Sequence, residues 1–78
     1  MKLKLKFFGR LTELTGVNEL TWETAEELSL SEIEAELSQQ YNNWTEQTYR
    51  IAINQTLVTD GKVSDGDEVA FLPPFAGG

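Results

Sequence analysis

Between Ser29 and Tyr41 the hydrophobic pattern changes period, and this change constrains the fold more than any other feature of the chain. Leu30, Ile33, Leu37 and Tyr41 fall on one stripe of a 3.6-residue helix. Ser29 followed three residues later by Glu32 has the form of a capping box. Tyr41-Asn42-Asn43-Trp44 ends the stripe with turn-prone asparagines. Glu32, Glu34 and Glu36 lie near the positive end of the helix dipole. With no histidine or aspartate among them, they read as a solvated face rather than a metal or acid–base cluster. A single helix of this length covers one face of a sheet, so the remaining chain must supply that sheet.

The flanking stretches supply it with period two. From Met1 to Phe8, Leu3, Leu5 and Phe7 alternate with Lys2, Lys4 and Lys6. The basic face of this strand reads as a solvated outer face rather than a dock for an acidic partner. Gly9 breaks the strand, and Leu11 and Leu14 then predict one or two helical turns closed by Gly16. Asn18 to Thr24 alternates again, with Leu20 and Trp22 inward. Tyr49 to Asn54 predicts a strand with Tyr49, Ile51 and Ile53 on one side. Asn54-Gln55 predicts a tight turn into Thr56–Thr59, although the usual glycine is absent. Asp60-Gly61 and Asp65-Gly66-Asp67 mark turns, with Val63 plugging the core between them. Glu68 to Leu72 closes the sheet. The result is one α+β domain over 1–78, a mixed sheet of about five strands packed on one main helix.

The closing strand runs into Pro73-Pro74-Phe75-Ala76-Gly77-Gly78. Prolines cannot donate ladder hydrogen bonds and hold φ near the polyproline value, so the sheet releases the chain in a stiff, extended direction. The predicted tail covers about 73 to 78, with Phe75 as its one apolar anchor. Two final glycines pack nothing, but a bare backbone enters a slot too narrow for any side chain. Extended at ~3.3 Å per residue, the tail reaches about 20 Å, enough to place the Gly78 carboxylate inside a partner's active site. With Val69 and Phe71 turned to the core, Ala70 and Leu72 face outward. Leu57 joins Leu72 in an outer apolar patch beside the tail, the form a docking surface takes.

Composition removes whole classes of chemistry. With neither cysteine nor histidine, the chain has no disulfide, no thiolate nucleophile, no imidazole base and no zinc site of the ordinary kind. Its formal net charge of −7 argues against nucleic acid; plain solubility explains that charge better than a basic docking partner does. No stretch is apolar enough to span a bilayer, and no leader opens the chain, so a cytoplasmic protein without membrane partners is expected. The sequence carries no recognisable ATP-binding loop, and no permanently bound cofactor or metal is expected.

Three stretches, FFGRLTELTG, AINQTLV and DGDEVAFLPPFAGG, together resemble the sulfur-carrier family that includes the small subunit of molybdopterin synthase. The resemblance follows the whole chain in order and implies a ubiquitin-like β-grasp. It also implies a relay. An E1-like enzyme uses ATP to adenylate the Gly78 carboxylate, and a sulfur donor converts the adenylate to a thiocarboxylate. The tail then enters a catalytic large subunit, in a heterotetramer, and sulfur passes to a cyclic pyranopterin precursor that will hold molybdenum or tungsten. In this scheme Gly78 bears the sulfur and Gly77 permits passage. Leu57, Leu72, Pro73, Pro74 and Phe75 contact the partner, and the chain is not catalytic alone. Phe75 stands where the family often has a smaller aliphatic residue, and Leu72 where an aromatic is common. Two neighbouring readings use the same adenylation: a ubiquitin-like modifier joined to lysines through Gly78, and the thiamine-pathway sulfur carrier.

Overall fold

The computed structural model describes residues 1–24 and 27–74. Strand β1 (Lys2–Phe7) leads through Gly9 into α1 (Arg10–Thr15), then β2 (Glu19–Glu23). A two-residue β3 (Leu28–Ser29) opens directly into α2 (Leu30–Gln40). After a short 3-10 turn at Trp44–Glu46 come β4 (Arg50–Ile53), β5 (Thr56–Val58), β6 (Lys62–Val63) and β7 (Glu68–Leu72). Five strands form one mixed sheet in the order β2-β1-β7-β4-β5, while β3 and β6 pair in a separate small ladder. The central pair β1 and β7 is parallel, with Leu5 beside Val69 and Phe7 beside Phe71.

Local chemistry accounts for the element ends. The Ser29 side chain accepts from the Glu32 backbone N–H at 3.2 Å, and the Glu32 carboxylate accepts from the Ser29 N–H at 3.0 Å. Two orphan donors at the start of α2 are thereby satisfied reciprocally. The Ser29 backbone N–H first, and the Ser29 hydroxyl second, hold the Glu32 carboxyl below its ordinary pKa. Gly16 closes α1 with φ 80° and ψ 4°, a left-handed cap that glycine adopts without strain. Asn54 and Gln55 both take positive φ, 49° and 72°, which the type I′ hairpin demands. Asparagine tolerates the left-handed region, and the Asn54 side chain holds the turn in place: its amide donates to Asp67 at 2.9 Å and its oxygen accepts from the Glu68 N–H at 3.0 Å. The hairpin is thus tied to the start of β7.

One sheet face and the apolar stripe of α2 enclose the core. Leu3, Leu5 and Phe7 from β1, Ile51 from β4, and Val69 and Phe71 from β7 meet Leu30, Ile33 and Leu37 from α2. Val63 is fully buried as expected, and the agent is the β3–β6 ladder, which pairs Leu28 with Val63.

Two sequence expectations need correction, and one residue gains a role. Trp44 lies in the turn after the helix as expected, but it is only 2% exposed and is a hub of the core. Its ring lies 5.3 Å from Phe71 and 6.0 Å from Phe7, both edge-on, and its indole N–H donates to the Tyr49 hydroxyl at 3.1 Å. Tyr49 lies just before β4 rather than within it. Its aromatic contacts bury half of it, and that burial, with Glu34 second, raises its pKa. Tyr41, expected on the helical stripe, is the extended C-cap of α2 and packs its ring 6.4 Å from Trp44.

Candidate functional site

The outer face of the sheet changes character along the strands. At its charged end, Lys2, Lys4 and Lys6 project from β1 and meet glutamates of the adjacent strands. Lys2 lies 3.6 Å from Glu23, Lys4 3.9 Å from Glu19, and Lys6 3.3 Å from Glu68. Such exposed pairs add little stability, but they leave the face nearly neutral. The next row crosses the sheet as Lys6, Ala70, Ala52 and Leu57, aligned by the β1–β7, β7–β4 and β4–β5 registers. Ala70 turns outward as expected, yet it is buried together with Ala52, because short methyl groups are shaded by longer neighbours. Leu57 rises above them, 48% exposed.

At the far end of β7, Leu72 is half-buried and stands opposite Arg50 of β4. Phe8, one residue beyond Phe7 and its partner Phe71, is 42% exposed. Phe8 and Leu57 are the two large exposed hydrophobic residues among those described, and both flank the line along which β7 leaves the sheet. The expected outward facing of Leu72 and Leu57 therefore agrees with the register. Phe8 was not singled out from the sequence, although its place after Phe7 in the period-two run assigns it to the outer face.

Pro73 and Pro74 follow, exposed and outside any ladder. Gly9 holds φ 61° and ψ −131°, and a Cβ built on it would lie 3.6 Å from the Pro73 ring. The first proline of the tail therefore lies beside the β1–α1 turn, with room for a methyl group between its ring and the Gly9 backbone. That turn is pinned by the Thr12 hydroxyl, which donates to the Phe7 carbonyl at 2.9 Å. A shallow cleft opens beside the prolines, lined among others by Phe8, Arg10, Leu11 and Glu46. Phe75, Gly77 and Gly78 lie outside the described residues. The described part of the site is an apolar face from whose edge Pro73 and Pro74 depart.

The ThiS family matches residues 5–78, nearly the full length. The chain belongs to the ThiS family. It is 35% identical to the molybdopterin synthase sulfur carrier subunit of Escherichia coli, across 97% of this chain and 99% of that protein. The corresponding subunit of Chlamydomonas reinhardtii is 31% identical, with both chains fully covered. Among solved structures, a Pyrococcus furiosus protein described as molybdopterin converting factor subunit 1 superposes with a TM-score of 0.86 at 28% identity, covering 96% of this chain and 99% of that one. A complex of subunits 1 and 2 of the molybdopterin-converting factor of Helicobacter pylori contributes a chain with TM-score 0.71 and 27% identity, with full coverage of both. The small archaeal modifier protein SAMP1 of Haloferax volcanii shares the fold, with TM-score 0.79 at 18% identity and full coverage of both chains. The five-stranded mixed sheet with α2 across it is accordingly the ubiquitin-like β-grasp expected from the sequence.

Proposed function

We propose that this chain is the sulfur-carrier subunit of a molybdopterin synthase. The observation that carries the reading is the end-to-end likeness to curated carriers of that name, on a chain whose last strand runs out into Pro73-Pro74 and ends in Gly77-Gly78. A terminal carboxylate is ionised at neutral pH and is a poor acyl electrophile. Joining it to AMP, with release of pyrophosphate from ATP, supplies a leaving group. Sulfur from a donor then displaces AMP and leaves a thiocarboxylate on Gly78. Its sulfur is nucleophilic at neutral pH and attacks an electrophilic carbon of the cyclic pyranopterin precursor held in the large subunit. Hydrolysis of the resulting acyl linkage leaves the sulfur on the pterin and regenerates the Gly78 carboxylate.

In this reading the carrier brings no catalytic group of its own, and ATP belongs to an E1-like partner. The outer face of the sheet, with Phe8, Leu57 and Leu72, docks the large subunit and the activating enzyme in turn. Pro73 and Pro74 aim the chain away from the fold, Phe75 anchors it in the partner's channel, and Gly77 passes where a side chain would jam. The reaction belongs in the cytoplasm; among the described residues no helix is long and apolar enough to cross a membrane. A second use of the same terminus, conjugation to lysines, would begin with the same adenylation.

Intact-mass spectrometry separates the two. After incubation with ATP, the activating enzyme and a sulfur donor, one terminal oxygen should be replaced by sulfur. Adding the large subunit and the pterin precursor should then restore the original mass. Accumulation of the chain on protein lysines, with no sulfur-bearing species that discharges to the precursor, would overturn the carrier reading.

A further inference from the structure

The chain has six basic side chains, and their placement divides them. Lys2, Lys4 and Lys6 are each paired with a glutamate on the sheet. Lys62 lies on the helix side, where it acts on Glu32. The remaining two, Arg10 and Arg50, have no carboxylate at ion-pair distance among the described residues. Both flank the point where the chain leaves the sheet. Arg50 stands directly opposite Leu72, and Arg10 lines the cleft beside Pro73 and Pro74. Glu46 shares the cleft with Arg10, and Asp60 shares a groove with Arg50, but neither is close enough to pair.

We propose that Arg10 and Arg50 form the charged rim of the docking face, and that the partner surface presents carboxylates to both of them. The inference rests on the docking reading given above and adds the partner's chemistry. Interface rims are polar, and arginine is enriched at interfaces because its planar fork meets a carboxylate with two parallel hydrogen bonds. The net charge of −7 points the other way, towards a basic partner. At physiological ionic strength, however, charges separated by more than about 8 Å are largely screened. The sign of the groups that touch therefore outweighs the sum over the molecule. Two cations, one opposite Leu72 and one beside Pro73 and Pro74, also define a direction, so matched carboxylates would fix the angle at which the tail enters the partner's channel.

The test measures association of the full-length chain with the large subunit of its own synthase, by stopped-flow, at low and high salt. Arg10→Glu/Arg50→Glu should slow association at low salt by about tenfold or more, and Arg10→Gln/Arg50→Gln by less. Wild-type association should fall with added salt, and the glutamine pair should flatten that dependence. Lys2→Glu, at the opposite end of the sheet, should leave the rate unchanged to within about twofold. Circular dichroism establishes that each variant is folded, as expected for exposed positions. Leu57→Asp serves as the separate probe of the docking face. If Leu57→Asp abolishes binding while both arginine pairs bind like wild type, the rim proposal is wrong and the docking face stands. If the reversed pair binds faster, the partner is basic there and the proposal is overturned. If neither Leu57→Asp nor the arginine variants change binding, the docking face fails and the rim with it.

Discussion

Replacing Trp44 with alanine is the sharpest test of how this fold is held together. The indole is almost wholly buried and touches Phe7 of β1, Phe71 of β7 and Tyr49 ahead of β4. It therefore joins the central parallel strands to the segment that follows α2. Truncating a buried tryptophan typically costs about 3–5 kcal/mol, since transfer free energy is lost and a cavity remains. A chain of 78 residues, at about 0.05–0.15 kcal/mol per residue, has only about 4–12 kcal/mol of total stability. At about 2.1 cal/mol/K per residue, its unfolding entropy makes each kcal/mol worth about 6 °C. Trp44→Ala should thus lower the melting temperature by about 18–30 °C, read by far-ultraviolet circular dichroism. Trp44→Phe keeps much of the edge-on packing but loses the bond to Tyr49, and should cost about 6–12 °C. Trp22→Ala, at a half-buried position on the edge strand, should cost less than Trp44→Ala. Trp44→Ala melting within about 5 °C of wild type, or no lower than Trp22→Ala, would refute the hub role.

Three further outcomes are expected. Ser29→Ala removes the cap of α2 and should destabilise the protein by about 1 kcal/mol in chemical denaturation. Because the folded-state pKa of Glu32 is lowered, its contribution is present above the unfolded glutamate value of about 4.3 and is lost as pH falls through the folded value. The stability gap between wild type and Glu32→Gln should accordingly close in acid, and a gap that widened there would reverse the assignment. Appending one alanine after Gly78 displaces the carboxylate by about 3.3 Å, far beyond catalytic tolerance. AMP transfer by the activating enzyme should disappear while the circular dichroism spectrum is unchanged, and normal adenylation would contradict the proposed role of the terminus.

Features governed by short-range interactions are legible in the chain alone. The period-two run in β1, the single 3.6-residue stripe of α2, and the Ser29–Glu32 box each involve residues within one or two turns of each other. The left-handed cap at Gly16 and the turn at Asn54-Gln55 follow from the conformational freedom of those few residues. Parity along β7 was enough to turn Val69 and Phe71 inward and Leu72 outward, because a strand has only two faces. The family could also be read, since its motifs are contiguous and fall at the chain's opening, hairpin and end.

Other features depend on residues far apart in the chain. Trp44 sits among asparagines and has no periodic partner nearby, so only the approach of Phe7, Phe71 and Tyr49 makes it core. The β3–β6 ladder has two residues per strand, too few for any periodic signal, and forms because α2 and the 61–63 segment are brought together. The approach of Pro73 to Gly9 brings opposite ends of the sequence together through the parallel β1–β7 pair. The same pairing, with the adjoining β4–β7 register, brings Phe8, Arg10 and Arg50 to the tail exit. A one-dimensional pattern records which face a residue takes. It does not record which distant strand lies beside it, and that neighbour decides whether a side chain is covered, paired or left open to a partner.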